Sequence, residues 1–301
     1  MRRWGLTAAC LVLIGLGALP LAGPGYHLEL LTVVFYWIGL AGAWNLMSGQ
    51  TGYIDFGSAA YVGVGSYLAG LLLVKVGLSL PAAVAAAGAG SLILALLVGY
   101  PTLRLKGAYF AIASFALAEA LLQVCLEWKG LTQGGLGLTL NARLTGWGYY
   151  WCYLALAALV VGLRWHLGHT RLGQALWALR QDEPAARRLG VNASAVKLKA
   201  YCLSALFIGL LGALDATRLG YFTPGDVFDV HITIKMVVMC LLGGLGTVWG
   251  PVVGAAFLQI IEDVLGAQFL HVYLFIVGVV IVAVIMFLPR GILGRRRLKG
   301  R

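Results

Sequence analysis

Residues 164–199 read RWHLGHTRLGQALWALRQDEPAARRLGVNASAVKLK, and this wet stretch in an otherwise oily chain decides how the rest is read. Leu172, Ala175, Leu176, Leu179 and Ala186 recur at helical spacing, with Arg171, Gln174, Arg180, Arg187 and Arg188 between them. Pro184 is acceptable at the start of a helix, and Asp182 and Glu183 just ahead of it suit a helix dipole. The spacing therefore predicts two short amphipathic helices broken at 181–184, the second running to about Leu189 with Gly190 as its cap. A basic loop of this kind can serve only to fix membrane orientation. An ordered apolar face, however, needs something to bury against, and a loop of this length is more often functional.

Outward from the loop the chain is lipid-like. Of 301 residues, 61% are hydrophobic and 11% charged, with mean hydropathy +0.90, against about 25% charged in a soluble domain. A spanning helix needs about 20 mostly apolar residues. By that measure ten spans are expected, near 5–22, 28–47, 57–75, 81–99, 107–126, 148–166, 198–219, 231–247, 250–266 and 271–289. The third and ninth follow glycine-rich stretches and could be re-entrant, so the expectation is an all-α polytopic bundle of eight to ten spans. The first run has the charge and length of a signal peptide, but it lacks a clean Ala-x-Ala site and reads as an uncleaved span.

The formal net charge of +11 would suggest nucleic acid in a soluble chain. Here it follows topology. With both termini in the cytoplasm, most of the 22 basic residues fall on that side: Arg2 and Arg3, Arg104 and Lys106, the central loop, and the tail from Arg290 to Arg301. That is a strong positive-inside bias. The whole chain, 1–301, reads as a single membrane domain with a cytoplasmic loop over about 167–197.

Two glycine-rich stretches interrupt the apolar runs, one in each half. Residues 45–67 read NLMSGQTGYIDFGSAAYVGVGSY, with Gly49, Gly52, Gly57 and Gly63; residues 242–255 read LGGLGTVWGPVVGA, with Gly243, Gly246 and Gly250. Glycine permits close helix packing, and paired interrupted segments also point to a transport path. Glu119 sits mid-span, where a charge costs at least about 2.5 kcal/mol. Asp215 has Arg218 one turn on and able to pair with it, Lys235 and Glu262 read as interfacial, and the outer loop 128–138 reads as flexible. Cys10, Cys125, Cys152, Cys202 and Cys240 are scattered singly and read as packing residues.

Several chemistries find no support. The chain contains no Gly-x4-Gly-Lys-Ser/Thr phosphate loop, no Gly-x-Ser-x-Gly, and no His-Glu-x-x-His metal pair. No cluster of polar catalytic groups can be assembled at one membrane face, so an integral-membrane enzyme is disfavoured. An ion-driven secondary transporter or channel remains a competitor, although it would need no docking helix.

These residues together carry a resemblance. Residues 49–67, GAYFAIASFALAE at 107–119, TRLGQALWALRQDEPAARRLGVN at 170–192, LLGGLGTVWGPVVGA at 241–255 and FLPRGI at 287–292 resemble the Liv-type branched-chain amino acid permease family of bacterial ATP-driven importers. That family also includes permeases for urea, amides and related solutes. The resemblance implies a non-enzymatic subunit of the inner membrane with no cofactor of its own. A second related permease chain, two cytoplasmic ATPase subunits that bind the ATP, and a periplasmic solute-binding protein would be its partners. It also implies that Arg180, Asp182, Glu183, Ala185, Ala186 and Gly190 belong to a coupling segment, in which Glu183, Ala185, Ala186 and Gly190 resemble the Glu-Ala-Ala…Gly signature of importer permeases, interrupted by Pro184. Gly49, Gly52, Gly57, Gly63, Glu119, Gly243, Gly246 and Gly250 would then line the path or pack its helices.

Overall fold

The computed structural model describes residues 25–141, 144–268, 278 and 291–293. Six of its helices are long and apolar enough to cross a membrane. They are α1 (Tyr26–Thr51), α2 (Ser58–Leu71, extended to Val76 by one π turn), α3 (Leu80–Thr102), α4 (Ala108–Glu127), α6 (Gly146–Leu167) and α9 (Ala193–Leu219). Between the long helices lie α5 (Lys129–Thr132), α7 (Arg171–Gln181), α8 (Glu183–Arg188) and α10 (Pro224–Val227); α11 (Val230–Gly243) and α12 (Gly250–Gln268) follow.

Of the ten expected spans, 5–22 and, apart from residue 278, 271–289 lie outside the described residues, and the other eight each fall on a helix. The span expected at 231–247 is shorter than the sequence suggests. It stops at Gly243, because Gly244 takes φ +121° and the chain turns back sharply. A Cβ on Gly243 would lie 1.7 Å from the Gly250 carbonyl oxygen, so only glycine lets α12 start this close to the end of α11. The span expected at 57–75 is a helix with a terminal π turn, long and apolar enough to cross a membrane.

Helices α1 and α9 form the enclosed centre, buried over most of their length, while α4 buries little of its surface. Helix α9 packs most extensively on α2 and α3, and α1 packs on α6, α9 and α12. Small residues allow these approaches. A Cβ on Gly65 would sit 2.2 Å from the Gly209 carbonyl oxygen, and one on Gly212 would sit 2.5 Å from that of Val62. Polar side chains fasten the same seams: Ser66 donates to the Gly212 carbonyl at 3.0 Å and Ser204 to that of Ala43 at 2.7 Å. Cys202 and Cys240 are buried as expected, whereas Cys125 and Cys152 are only partly so.

The segment 128–138, read as flexible from its glycines, carries regular structure. Two strands, β1 (Leu138–Thr139) and β2 (Tyr221–Phe222), pair antiparallel with Leu138 opposite Phe222. Leu138, Leu140 and Phe222 are buried beneath Tyr67, and Thr132 donates to the Cys125 carbonyl at 2.5 Å. Burial of these apolar side chains outweighs the conformational freedom of the glycines between them.

Candidate functional site: the elbow and the glycine junction

The wet loop folds as two helices joined at a corner, each capped as its sequence allows. Thr170 accepts from the Gly173 amide at 3.3 Å to start α7, and Asp182 accepts from the Ala185 amide at 2.9 Å to start α8. Gly190, at φ +86°, ends α8. The Val191 amide reaches back to the Ala186 carbonyl and the Gly190 amide to that of Arg187, which is the Schellman pattern. Leu179, Ala186 and Ala193 meet in a small apolar cluster that holds α7, α8 and the start of α9 together. Gly173 anchors the elbow to the bundle, since a Cβ there would fall 1.8 Å from the Leu167 carbonyl oxygen.

Glu183 ties this elbow to the membrane helices. Its carboxylate accepts from the Tyr53 hydroxyl, the Lys197 ammonium and the Arg187 guanidinium, each at 2.6 Å. Lys197 is 1% exposed and lies 3.9 Å above the Tyr53 ring. Burial on its own would raise the Glu183 carboxyl. The hydrogen bonds from Lys197 and Tyr53, the Lys197 charge and the Arg187 hydrogen bond outweigh it and hold the group down at about 2. The Tyr53 phenol is pushed up by burial first, then by its bond to Glu183 and that residue's charge.

Arg180 makes the second tie. Its guanidinium donates to the Gly49 carbonyl, in the last turn of α1. Arg164 donates to the Gly246 carbonyl at 2.6 Å. Between them Asn45 uses both ends of its amide, donating to the Thr247 carbonyl at 2.9 Å and accepting from the Gly246 amide at 2.8 Å. The two glycine-rich stretches thus touch directly. A Cβ on Gly49 would lie 3.0 Å from the Gly246 nitrogen, and one on Gly246 would lie 2.1 Å from the Arg180 guanidinium and 2.4 Å from the Gly49 carbonyl oxygen. Gly52, at φ +77°, caps α1 beside the Arg180 side chain.

Of the sequence-predicted residues, Arg180, Gly49, Gly52 and Gly246 come together at this junction, while Asp182, Glu183, Ala185, Ala186 and Gly190 build the elbow. Gly57 and Gly63 stand apart and pack closely, against the Ser114 carbonyl and the Phe228 ring. Gly243 and Gly250 pack against each other. Glu119, on the weakly enclosed α4, makes no hydrogen bond or ion pair among the described residues. Asp215 does pair with Arg218, at 2.9 Å, and also accepts from Tyr153. Lys235 and Glu262, read as interfacial from the sequence, form a pair. They bond each other across α11 and α12, with Lys235 4.1 Å above the Trp37 ring.

Sequence reasoning missed Asn45, Tyr53 and Lys197 as tying residues, and it counted Arg164 and Lys197 only as topology charges. A signal for Lys197 existed. It shares the face of Ala193, Ala200, Tyr201 and Ser204, all of which are buried.

A mostly helical bundle, with six of its helices long and apolar enough to cross a membrane, is the architecture of a multi-pass membrane protein. A family model described as "Branched-chain amino acid transport system / permease component" matches residues 26–285, and the chain belongs to that family. It is 28% identical to the high-affinity branched-chain amino acid transport system permease protein LivM of Escherichia coli, over 89% of this chain and 69% of that protein. The LivM of Salmonella typhimurium is also 28% identical, over 78% of this chain and 62% of that protein. The autoinducer 2 import system permease protein LsrC of Escherichia coli is 28% identical as well, over 70% of this chain and 64% of that protein.

Proposed function

We propose that this chain is the translocating subunit of an importer for branched-chain or related small amino acids, driven by a separate ATPase through the α7–α8 elbow. The observation that carries the reading is the double fastening of that elbow. Glu183 holds it to Tyr53 and Lys197, and Arg180 holds it to the junction of the two glycine breaks. A push on the elbow is thereby delivered to the points where α1 and α11 end, and packed interfaces respond to such a push by rigid-body shifts. Trp177 and Leu189 stand exposed on the elbow as the apolar contacts a docking partner would cover.

In this reading two cytoplasmic ATPase subunits bind the ATP, a second related permease chain completes the pore, and a periplasmic binding protein delivers the solute. The chain lies in the bacterial inner membrane with both termini inside. The LsrC relatives favour one alternative at the level of the solute, a small polar molecule other than an amino acid. Uptake by proteoliposomes containing the chain and its partners tests the mechanism. ATP-dependent uptake of leucine should disappear in Ala186→Asp, which puts a charge into the elbow cluster, while the chain still inserts. Uptake driven by an ion gradient without nucleotide, or normal uptake in the variant, would refute it.

A further inference from the structure

A cavity of about 630 Å³ opens beside the elbow, where α1 and α6 end against α7. Gln50, Arg164, Gln174, Trp177 and Arg180 are among its walls. The two guanidinium groups converge here, since both bond to the Gly49–Gly246 contact. Their hydrogen bonds go to neutral carbonyls, and among the described residues neither has an ion pair. Two like charges brought together with no carboxylate between them are costly without a counter-anion. The donors are also in excess. Gln50 is 5% exposed, and among the described residues its side-chain amide nitrogen meets no acceptor; the Nε of Arg164 is buried in the same state.

We propose that this cavity is a phosphate-oxyanion site that takes the headgroup of an anionic phospholipid. Arginine forks match phosphate oxygens in pairs, and Gln50 stands in the same wall. The level in the membrane fits a lipid source. Arg164 and Gln50 occupy the last turns of two spanning helices, and Trp165, next to Arg164, is exposed, as indoles are at a headgroup boundary. Basic pockets between helix ends on the cytoplasmic side suit such headgroups. An anion bound here touches the elbow through Arg180 and the bundle through Arg164, so occupancy stiffens the joint between them.

The test uses the full chain in neutral detergent, following its thermal unfolding midpoint during titration with phosphatidylglycerol or with phosphatidylcholine of the same chain length. Inorganic phosphate against chloride, at matched ionic strength, forms a separate arm. Gln174 is exposed on α7, so Gln174→Glu adds a negative charge to the wall without disturbing the fold, and Gln174→Ala is its neutral control. Phosphatidylglycerol should raise the midpoint of the natural chain and of Gln174→Ala, with binding to Gln174→Glu weakened by about tenfold or more through like-charge repulsion. A rise with inorganic phosphate, equally lost in Gln174→Glu, would support the site with a soluble anion as its occupant. No rise with either anion, or the same rise in Gln174→Glu, would overturn it.

Discussion

Replacing Glu183 by Gln should destabilise the chain far more than a typical loop substitution does. Glutamine keeps an oxygen for Tyr53 but removes the charge facing Lys197, which is 1% exposed and has no other acid among the described residues. Breaking one side of a buried ion pair costs about 3–5 kcal/mol. A second route to the magnitude runs through the carboxyl itself. Lowering it from 4.5 to about 2 corresponds to roughly 3 kcal/mol. The Arg187 edge is half exposed and screened by solvent, which brings the figure to about 2 kcal/mol. The expected loss is therefore about 2–4 kcal/mol, read as a fall in the thermal unfolding midpoint in detergent. The double variant Glu183→Gln with Lys197→Met removes the stranded cation and should recover most of the loss, because an apolar replacement of a buried pair is often close to neutral. If Glu183→Gln unfolds like the natural chain, or the double variant is no better than the single one, the tie does not hold the elbow.

The same carboxyl sets a pH dependence: its contribution is complete above about pH 4.5 and drains away as the pH falls toward 2, and the Glu183→Gln chain should lack this acid limb. Gly65→Ala forces a methyl group onto the Gly209 backbone and should cost about 1–3 kcal/mol. Gly162→Ala, with nothing within 4 Å, should be neutral or stabilising by about 0.5–1 kcal/mol; equal unfolding midpoints for the two would remove the packing argument. Asn45→Leu strands both the Gly246 amide and the Thr247 carbonyl, with an expected loss of about 2–4 kcal/mol and of uptake. Retained uptake in that variant would separate the glycine junction from transport.

What the sequence made legible was local. Pro184 and Gly190 mark the corner and end of the elbow through rules that need no tertiary partner, and Gly190 caps α8 as expected; Asp182, read from the sequence as an acid suiting the helix dipole, is also the N-cap of α8. Apolar run length located eight helices for the same reason. The truncation of α11 was less visible, because a left-handed turn at Gly244 and contact with Gly250 depend on how α12 folds back. The Asn45 bridge spans about two hundred residues of chain, and the loop 128–138 is ordered by a strand at 221–222. No periodicity within either segment encodes such partners. Glycines 57 and 63 could be read as path or packing residues from the sequence; the contacts they make are those of packing.

The claim on which the rest depends is that the elbow is the surface a motor subunit grips. Leu189, 85% exposed just past α8, is the position to probe. In the assembled transporter, a Leu189→Cys chain should crosslink to the ATPase, and the yield should change when ATP is added. A crosslink that forms with no ATPase subunit, or a cysteine that reacts only from outside the cell, would contradict it.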